Sequence, residues 1–425
     1  LRELAALGLR GLSDSDSSVS FTGDPLLAIR RATYFEGVSN GNSAHLLTDQ
    51  AAVELTHLDL REGGGRQATR YGLHGIHEYK GKFNPQVVRA LCNLVDLDAE
   101  ILIDPFCGSG TALIEGLRLG MSVIGIDHSP IACFLSRAKL AATTAPSPAM
   151  LADELLEVAE RVARGLAEGQ ESGVGATELS ASTRTYLDRW FTTPAFAGLS
   201  RALVLLRREE PGTAVDLARI ALSSILRNVS LQLPEDLRIR RRPEPFTAPP
   251  MAPRFLEAVH AARRGLLEID DWPEMTGGWG VIHGSAEDSS AYADATSGSR
   301  RLILTSPPYA TALPYIDTDR LSLVALGLSE PKQLGPLERS LIGSREWTRA
   351  EQVEWDTRRT ANADRLPDPI AGLVGRIDRL NHEGQAGFRR QAVPSLLYRY
   401  FARMARSIDS WRSQLETGER AVLIV

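Results

Sequence analysis

Cysteine is scarce in this chain. Among 425 residues there are three, Cys92, Cys107 and Cys133, with no paired spacing. That argues for a reducing compartment, the cytoplasm, and against a zinc cluster. No apolar run approaches the length needed to cross a bilayer, and no signal-peptide pattern opens the chain, so no membrane is expected. Positive charge is not in excess either: 48 Lys and Arg face 53 Asp and Glu, a net charge of −5. A polyanionic partner would have to be met by local basic clusters rather than by a global field. An initiating methionine is also lacking, and the chain stops on Ala421–Val425, which reads as a strand; both point to a trimmed or partial sequence. What is present is a globular composition, long enough for one large or two to three ordinary domains.

The stretch Leu302-Ile-Leu-Thr-Ser-Pro-Pro-Tyr309 organises the reading. Three apolar residues make a strand, Thr305 and Ser306 close it, and two prolines forbid both helix and sheet continuation. A stiff turn bearing carbonyls, a hydroxyl and an aromatic face therefore stands just past a strand's carboxyl end, where open parallel sheets bind ligands. Almost 200 residues earlier, Ile101-Leu-Ile-Asp-Pro-Phe-Cys-Gly-Ser-Gly-Thr111 reads as strand, glycine loop and helix start. Gly108 and Gly110 let a ligand approach the backbone, and the helix beginning near Thr111 offers free N–H groups. The loop lacks the Lys-Ser/Thr ending of a phosphate loop and the third glycine of the dinucleotide fingerprint. A second strand, Ser122–Ile126, ends on Asp127, 23 residues after Asp104. Asp127 is placed either to accept hydrogen bonds from ribose hydroxyls or to cap the helix that Pro130 starts. Upstream, His77–Gln86 is a basic, aromatic loop leading through Asn84 and Pro85 into a helix N-terminus.

The blocks Asp104–Thr111, Gly125–Pro130 and Thr305–Tyr309, in this order, resemble the amino-methyltransferases that use S-adenosylmethionine. The Ser-Pro-Pro-Tyr form is closest to the DNA cytosine-N4 methyltransferases. The resemblance covers about 150 of the 425 residues. It implies a Rossmann-like α/β fold, a mostly parallel sheet flanked by helices, and no metal. Lys82 and Phe83 would border the methionine end of the cofactor. Phe106, Gly108, Gly110 and Thr111 would form the loop beneath it, Asp104 would orient that loop or meet the ammonium group, and Asp127 would hold the ribose. An acidic residue after the third strand (Gly280–Asp288) contacts the adenine amine in that family; Asp288 is the candidate, with Glu287 as the fallback. Ser306, Pro307, Pro308 and Tyr309 would form the catalytic turn, gripping an exocyclic amine while Tyr309 stacks on a base flipped out of DNA. Tyr315 and Asp319 are further pocket candidates. The product would be S-adenosylhomocysteine. Adenine-N6 methylation, RNA guanine-N2 methylation and a non-catalytic DNA-binding subunit of a restriction or defence system stay open.

The core so read occupies residues 71–145 and 276–330, with residues 395–425 returning to it. Residues 1–70 carry no readable chemistry; Ser13–Ser20 reads as a loop and Gly63–Gly65 as a linker. Residues 146–275 form a large helical insertion, expected to have a small core of its own. It ends in a basic cluster of Arg227, Arg238, Arg240, Arg241 and Arg242, suited to phosphates and guanine edges. A Pro-rich connector, Pro243–Pro253, follows. Residues 331–394 read as charged and irregular, with Trp347 and Trp355 marking a second packing site.

Overall fold

The fully buried run Ile101-Leu-Ile-Asp104 is the centre of the molecule. A strand buried on both faces must be covered from both sides, which is the condition of a central parallel strand. In the computed structural model it is β1 (Ile101–Asp104), followed by β2 (Ser122–Asp127), β3 (Trp279–His283), β4 (Arg301–Thr305) and β5 (Arg420–Leu423). The structure describes residues 2–14, 18–35, 37–39, 45–58, 69–168, 179–236, 238–242, 246–292, 299–311 and 313–425. The five strands run parallel in the order β3-β2-β1-β4-β5. The order reverses between β1 and β4, so their carboxyl ends flank the switch point where such sheets take ligands.

Side chains alternate along β1 as the pleat requires. Leu102 faces a layer made by α1 (Pro85–Val95), α2 (Thr111–Arg118) and α3 (Pro130–Thr143). Ile101 and Ile103 face the opposite layer, where Tyr292 and Trp411 pack. Asn84 caps α1 as expected, its Oδ1 accepting from the Gln86 N–H at 2.8 Å, with Pro85 in the first position.

The helical insertion comprises α4 (Pro148–Glu168), α5 (Ala181–Asp188), α6 (Thr193–Arg208), α7 (Thr213–Val229) and α8 (Met251–Asp270). It does not keep a separate core. Its apolar faces merge with the outer face of α3 (Ile131, Leu135, Ala138) and with α9 (Tyr315–Ala325) in one continuous cluster. The reason is that α3 is apolar on both sides, so a second helical layer is needed to cover it. The expected connector is shorter than the sequence implies. Pro253 lies in the first turn of α8, where its missing N–H costs nothing because that position has no intrahelical partner.

Residues 331–394 are helical rather than irregular: α10 (Leu334–Ser340), α11 (Arg349–Thr360) and α12 (Asp368–Glu383) precede the long α13 (Val393–Arg412). No residue of α11 is buried, so it shows no apolar period, and its start is set by a capping box between Thr348 and Glu351. Trp355 joins a small core with Leu366, Val374 and Tyr398. Trp347 is elsewhere, beneath the Arg399 guanidinium. Of the stretch expected as a loop, Ser13 and Asp14 end one short strand (Arg10–Asp14) and Val19 and Ser20 begin another (Val19–Thr22), the two paired antiparallel; residues 15–17 and Gly63–Gly65 lie outside the described residues. No helix among the described residues is long and apolar enough to cross a membrane.

Helix α8 meets the turn at Gly72 with no room between backbones. A Cβ on Gly265 would lie 2.3 Å from the Gly72 carbonyl oxygen, and Glu268 accepts the Gly72 N–H at 2.6 Å. Gly265→Ala is expected to lower stability by about 1–3 kcal/mol in urea unfolding. Gly280→Ala in β3, whose Cβ would meet nothing within 4 Å, is expected to stay within about 0.5 kcal/mol of the parent.

Candidate active site

Each expected motif sits at a strand end because the turn there demands particular residue types. Asp104 closes β1 fully buried, and its Oδ1 accepts from the Phe106 N–H at 3.0 Å and the Thr305 hydroxyl at 2.6 Å. Burial pushes this carboxyl up to about 7 against the pull of those two donors. In the loop, Gly108 and Gly110 both take left-handed backbone conformations (φ 51° and 82°). A Cβ on Gly108 would stand 3.0 Å from the Tyr79 ring, and one on Gly110 3.0 Å from the Ser136 hydroxyl. Thr111 begins α2 and is buried.

Asp127 ties the entry of α3, whose N-cap is Ser129, to the glycine loop. Its Oδ1 accepts from the Ser129 N–H at 2.8 Å at the entry to α3, and its Oδ2 accepts from the Gly108 N–H at 2.9 Å. The same carboxylate stands in the wall of a cavity of about 380 Å³ at the carboxyl edge of the sheet. Burial raises its pKa, opposed by the N–H donors.

That cavity brings together Lys82, Phe83, Phe106, Gly108 and Asp127 on one side and Ser306, Pro307, Pro308 and Tyr309 on the other, with Tyr315 beside them. Asp104, Gly110 and Thr111 lie behind it and shape the loop. Lys82 donates to the His74 carbonyl at 2.7 Å and the Thr69 carbonyl at 3.2 Å, and burial beside Arg70 lowers its ammonium pKa to about 8. Asp319 is buried and does not reach the cavity.

Asp288 does not reach it either. It is exposed, accepting from the Ser290 N–H at 2.9 Å and hydroxyl at 2.8 Å at the start of a short turn. Glu287 is held by Arg403 and Arg406 of α13. The cavity wall after β3 is Ser285 and Ala286 instead, because the chain turns away at Gly284. Other lining residues carried no local signal: Leu341 and Ile342 after α10, and Arg403 on α13, arrive through tertiary packing alone.

At the catalytic end, the Ser306 hydroxyl donates to the Ile424 carbonyl at 3.2 Å, which leaves its lone pairs free to accept. Tyr309 is 49% exposed, so about half of its surface is available to a partner. The loop after it is held under strain. Thr311 adopts φ 57°, rare for a β-branched residue, while its N–H donates to the Gly343 carbonyl at 3.0 Å and its carbonyl accepts from Arg345.

The basic cluster is divided. Arg242 is taken up by the carbonyls of Gln232 and Arg227 and packs 4.0 Å over the Phe246 ring; Arg227 donates to the Thr318 carbonyl. Arg240 pairs with Asp236 at 3.1 Å. Arg238 and Arg241 are exposed. None of the five lines the cavity.

Residues 76–170 match the family described as the RMKL-like methyltransferase domain. The core of this chain is a methyltransferase domain. Among proteins of known activity, it is similar to the type II methyltransferase M.MjaII of Methanocaldococcus jannaschii, with 47% identity over 68 residues, 16% of this chain and 13% of that protein. It is similar over a longer span to the type II methyltransferase M.MvaI of Kocuria varians, with 24% identity over 319 residues, 72% of this chain and 69% of that one. A third relative, the tRNA (guanine(10)-N2)-dimethyltransferase of Methanothermobacter thermautotrophicus, is 40% identical over 50 residues, 12% of this chain and 15% of that protein. The chain thus spans a small fraction of the first and third relatives and about two thirds of the second. No solved structure matches significantly.

A methyltransferase domain of this kind implies S-adenosylmethionine, and the residues present fit it. The glycine loop admits backbone approach, the Asp127 carboxylate supplies acceptors for a diol, and Phe106, Pro307 and Ile342 supply apolar walls. Among the described residues no three His, Cys, Asp or Glu side chains are grouped to hold a metal ion.

Two substitutions separate the acidic residues. Asp127→Ala removes a charged acceptor from the cavity wall and is expected to weaken S-adenosylhomocysteine binding about 10- to 100-fold by calorimetry. Asp288→Ala, away from the cavity, is expected to leave that affinity unchanged.

Proposed function

We propose that this methyltransferase domain methylates the exocyclic N4 amine of cytosine in DNA, with the target base swung out of the helix. The single observation that carries the reading is the placement of Ser306. Its hydroxyl stands in the same cavity as the glycine loop, its proton engaged by the Ile424 carbonyl and its lone pairs available. The similarity to two type II methyltransferases supports DNA as the substrate.

When bound, S-adenosylmethionine supplies a methyl group on a sulfonium that is already electrophilic. The task left to the protein is to orient an aryl amine whose lone pair is delocalised into its ring. The Ser306 Oγ and the Pro307 carbonyl accept N–H bonds from that amine and favour a pyramidal nitrogen, while the rigid Pro307-Pro308 turn fixes the approach. Tyr309 offers its exposed surface to the base, which must leave the duplex because its amine is otherwise paired. The proton lost after transfer passes to water or by way of Ser306, so no strong general base is needed. Cys107 takes no covalent part: it is buried under the loop, and burial holds its thiol well above the usual range.

The test is incubation of mixed-sequence duplex DNA with labelled S-adenosylmethionine, followed by nucleoside mass spectrometry. N4-methylcytosine is the expected product; N6-methyladenine alone, or methylation of RNA only, would refute the assignment. Tyr309→Ala is expected to lower kcat/KM about 10- to 100-fold with S-adenosylhomocysteine affinity unchanged. An equal loss of both would rule out a stacking role.

A further inference from the structure

Beside the cavity, and sharing Leu313 with it, lies a second cleft of about 360 Å³. Four arginines from four separate segments line it: Arg238 from the turn after Leu233, Arg320 on α9, Arg339 on α10 and Arg345 before α11. Three carboxylates accompany them, but two are already engaged. Asp317 pairs with Arg320 at 3.0 Å, and Glu338 accepts the Ile316 N–H at 3.0 Å. Burial and the neighbouring Asp317 raise the Glu338 carboxyl to about 7, so its negative charge is partial near neutral pH.

Two of these arginines carry N–H groups without an acceptor among the described residues. The Nε of Arg320 is buried without a hydrogen-bond partner, and Arg238 makes no side-chain hydrogen bond or ion pair among the described residues. Leaving a buried donor unpaired is unfavourable, and it adds to the positive character that the four guanidinium groups give this cleft. Planar guanidinium forks match the paired oxygens of a carboxylate or a phosphate, and beside a cavity proposed to take a DNA base the anion at hand is a phosphate. The cleft is also physically tied to the catalytic turn: Arg345 donates to the Thr311 carbonyl, two residues past Tyr309.

We infer that this cleft holds a backbone phosphate of the DNA strand whose base enters the neighbouring cavity. The inference rests on the proposed DNA methylation and sharpens it. Of the five arginines that the sequence groups together, it assigns Arg238 to the substrate strand and adds Arg320, Arg339 and Arg345 from elsewhere in the chain. A phosphate seated here would anchor the strand next to the flipped nucleotide, where the overall charge of −5 gives no general attraction.

The test uses the full chain with S-adenosylhomocysteine and fluorescent duplex DNA, measuring Kd across a salt series. Losing one phosphate contact lowers the slope of log K against log salt by about 1. Arg238→Gln is expected to show that decrease and bind DNA about tenfold more weakly, the equivalent of about 1.4 kcal/mol, with S-adenosylhomocysteine affinity intact. Arg339→Gln should behave alike. Arg254→Gln, on the exposed side of α8 and paired with Glu257, should keep the parent slope. An unchanged slope in Arg238→Gln while the parent binds and methylates DNA would overturn the cleft assignment alone, as would an equal loss in Arg254→Gln, which signals a diffuse field. If inorganic phosphate binds with the same Arg238 dependence while DNA affinity stays at the parent value, the cleft takes a free anion and the inference fails. A parent that binds no DNA would overturn the underlying reading and this one with it.

Discussion

The hydrogen bond from the Thr305 hydroxyl to the Asp104 carboxyl, 2.6 Å long and buried, joins the two strands on which everything else hangs. It spans the switch point of the sheet, with the glycine loop leaving one side and the Ser306–Tyr309 turn leaving the other. Because Asp104 also holds the Phe106 N–H, one carboxyl sets the start of the loop and its distance from the turn. A backbone ladder alone would align the strands but would leave both turns free to pivot. With Asp104 in place, the two walls of the cavity cannot move independently.

A second buried group does similar work for the segment that closes the cavity from above. Glu115 on α2 accepts from the Tyr71 hydroxyl at 3.0 Å, from His74 at 2.9 Å and from Arg118 at 3.0 Å. Burial alone would raise its pKa, but Arg118, His74 and Arg89 hold it down at about 2. Burial in turn lowers the His74 pKa to about 4, so near neutral pH the imidazole is uncharged and donates to a true carboxylate. Arg118 stacks 4.2 Å over Trp272 just past α8, so the glycine-loop helix, the approach segment and the inserted helices meet at one ionic cluster. Breaking such a cluster is costly because a buried charge is left unpaired.

The parts of the site legible in the sequence are those where local backbone chemistry dictates residue type. Gly108 and Gly110 need left-handed conformations, Pro307 and Pro308 stiffen a turn, and Asp127 ends a strand whose tip must receive two N–H groups. Such demands are met within a few residues, so spacing reveals them. The rest depends on distant packing. Leu341, Ile342 and Arg403 reach the cavity from helices beyond the sheet, and nothing in their own stretches marks them. Asp288 looked suitable by position, yet Gly284 turns the chain so that Ser285 and Ala286 face inward. Helix α11 has no buried face to generate a period, and the apolar outer side of α3 could not be foreseen as the floor of the inserted layer. Among the arginines, neighbours in sequence and neighbours in space differ: Arg227 and Arg242 donate to backbone carbonyls, whereas Arg320, Arg339 and Arg345 gather with Arg238 only in three dimensions.

The central claim is that one cavity, walled by the glycine loop on one side and Ser306–Tyr309 on the other, holds the methyl donor against the target amine. A crystal structure of the chain with S-adenosylhomocysteine tests it most directly. The account predicts the ribose hydroxyls on Asp127, the adenine against Ser285 and Ala286, and the sulfur facing Ser306. A ligand bound outside this cavity, or one whose sulfur points away from the Ser306–Tyr309 turn, would contradict it.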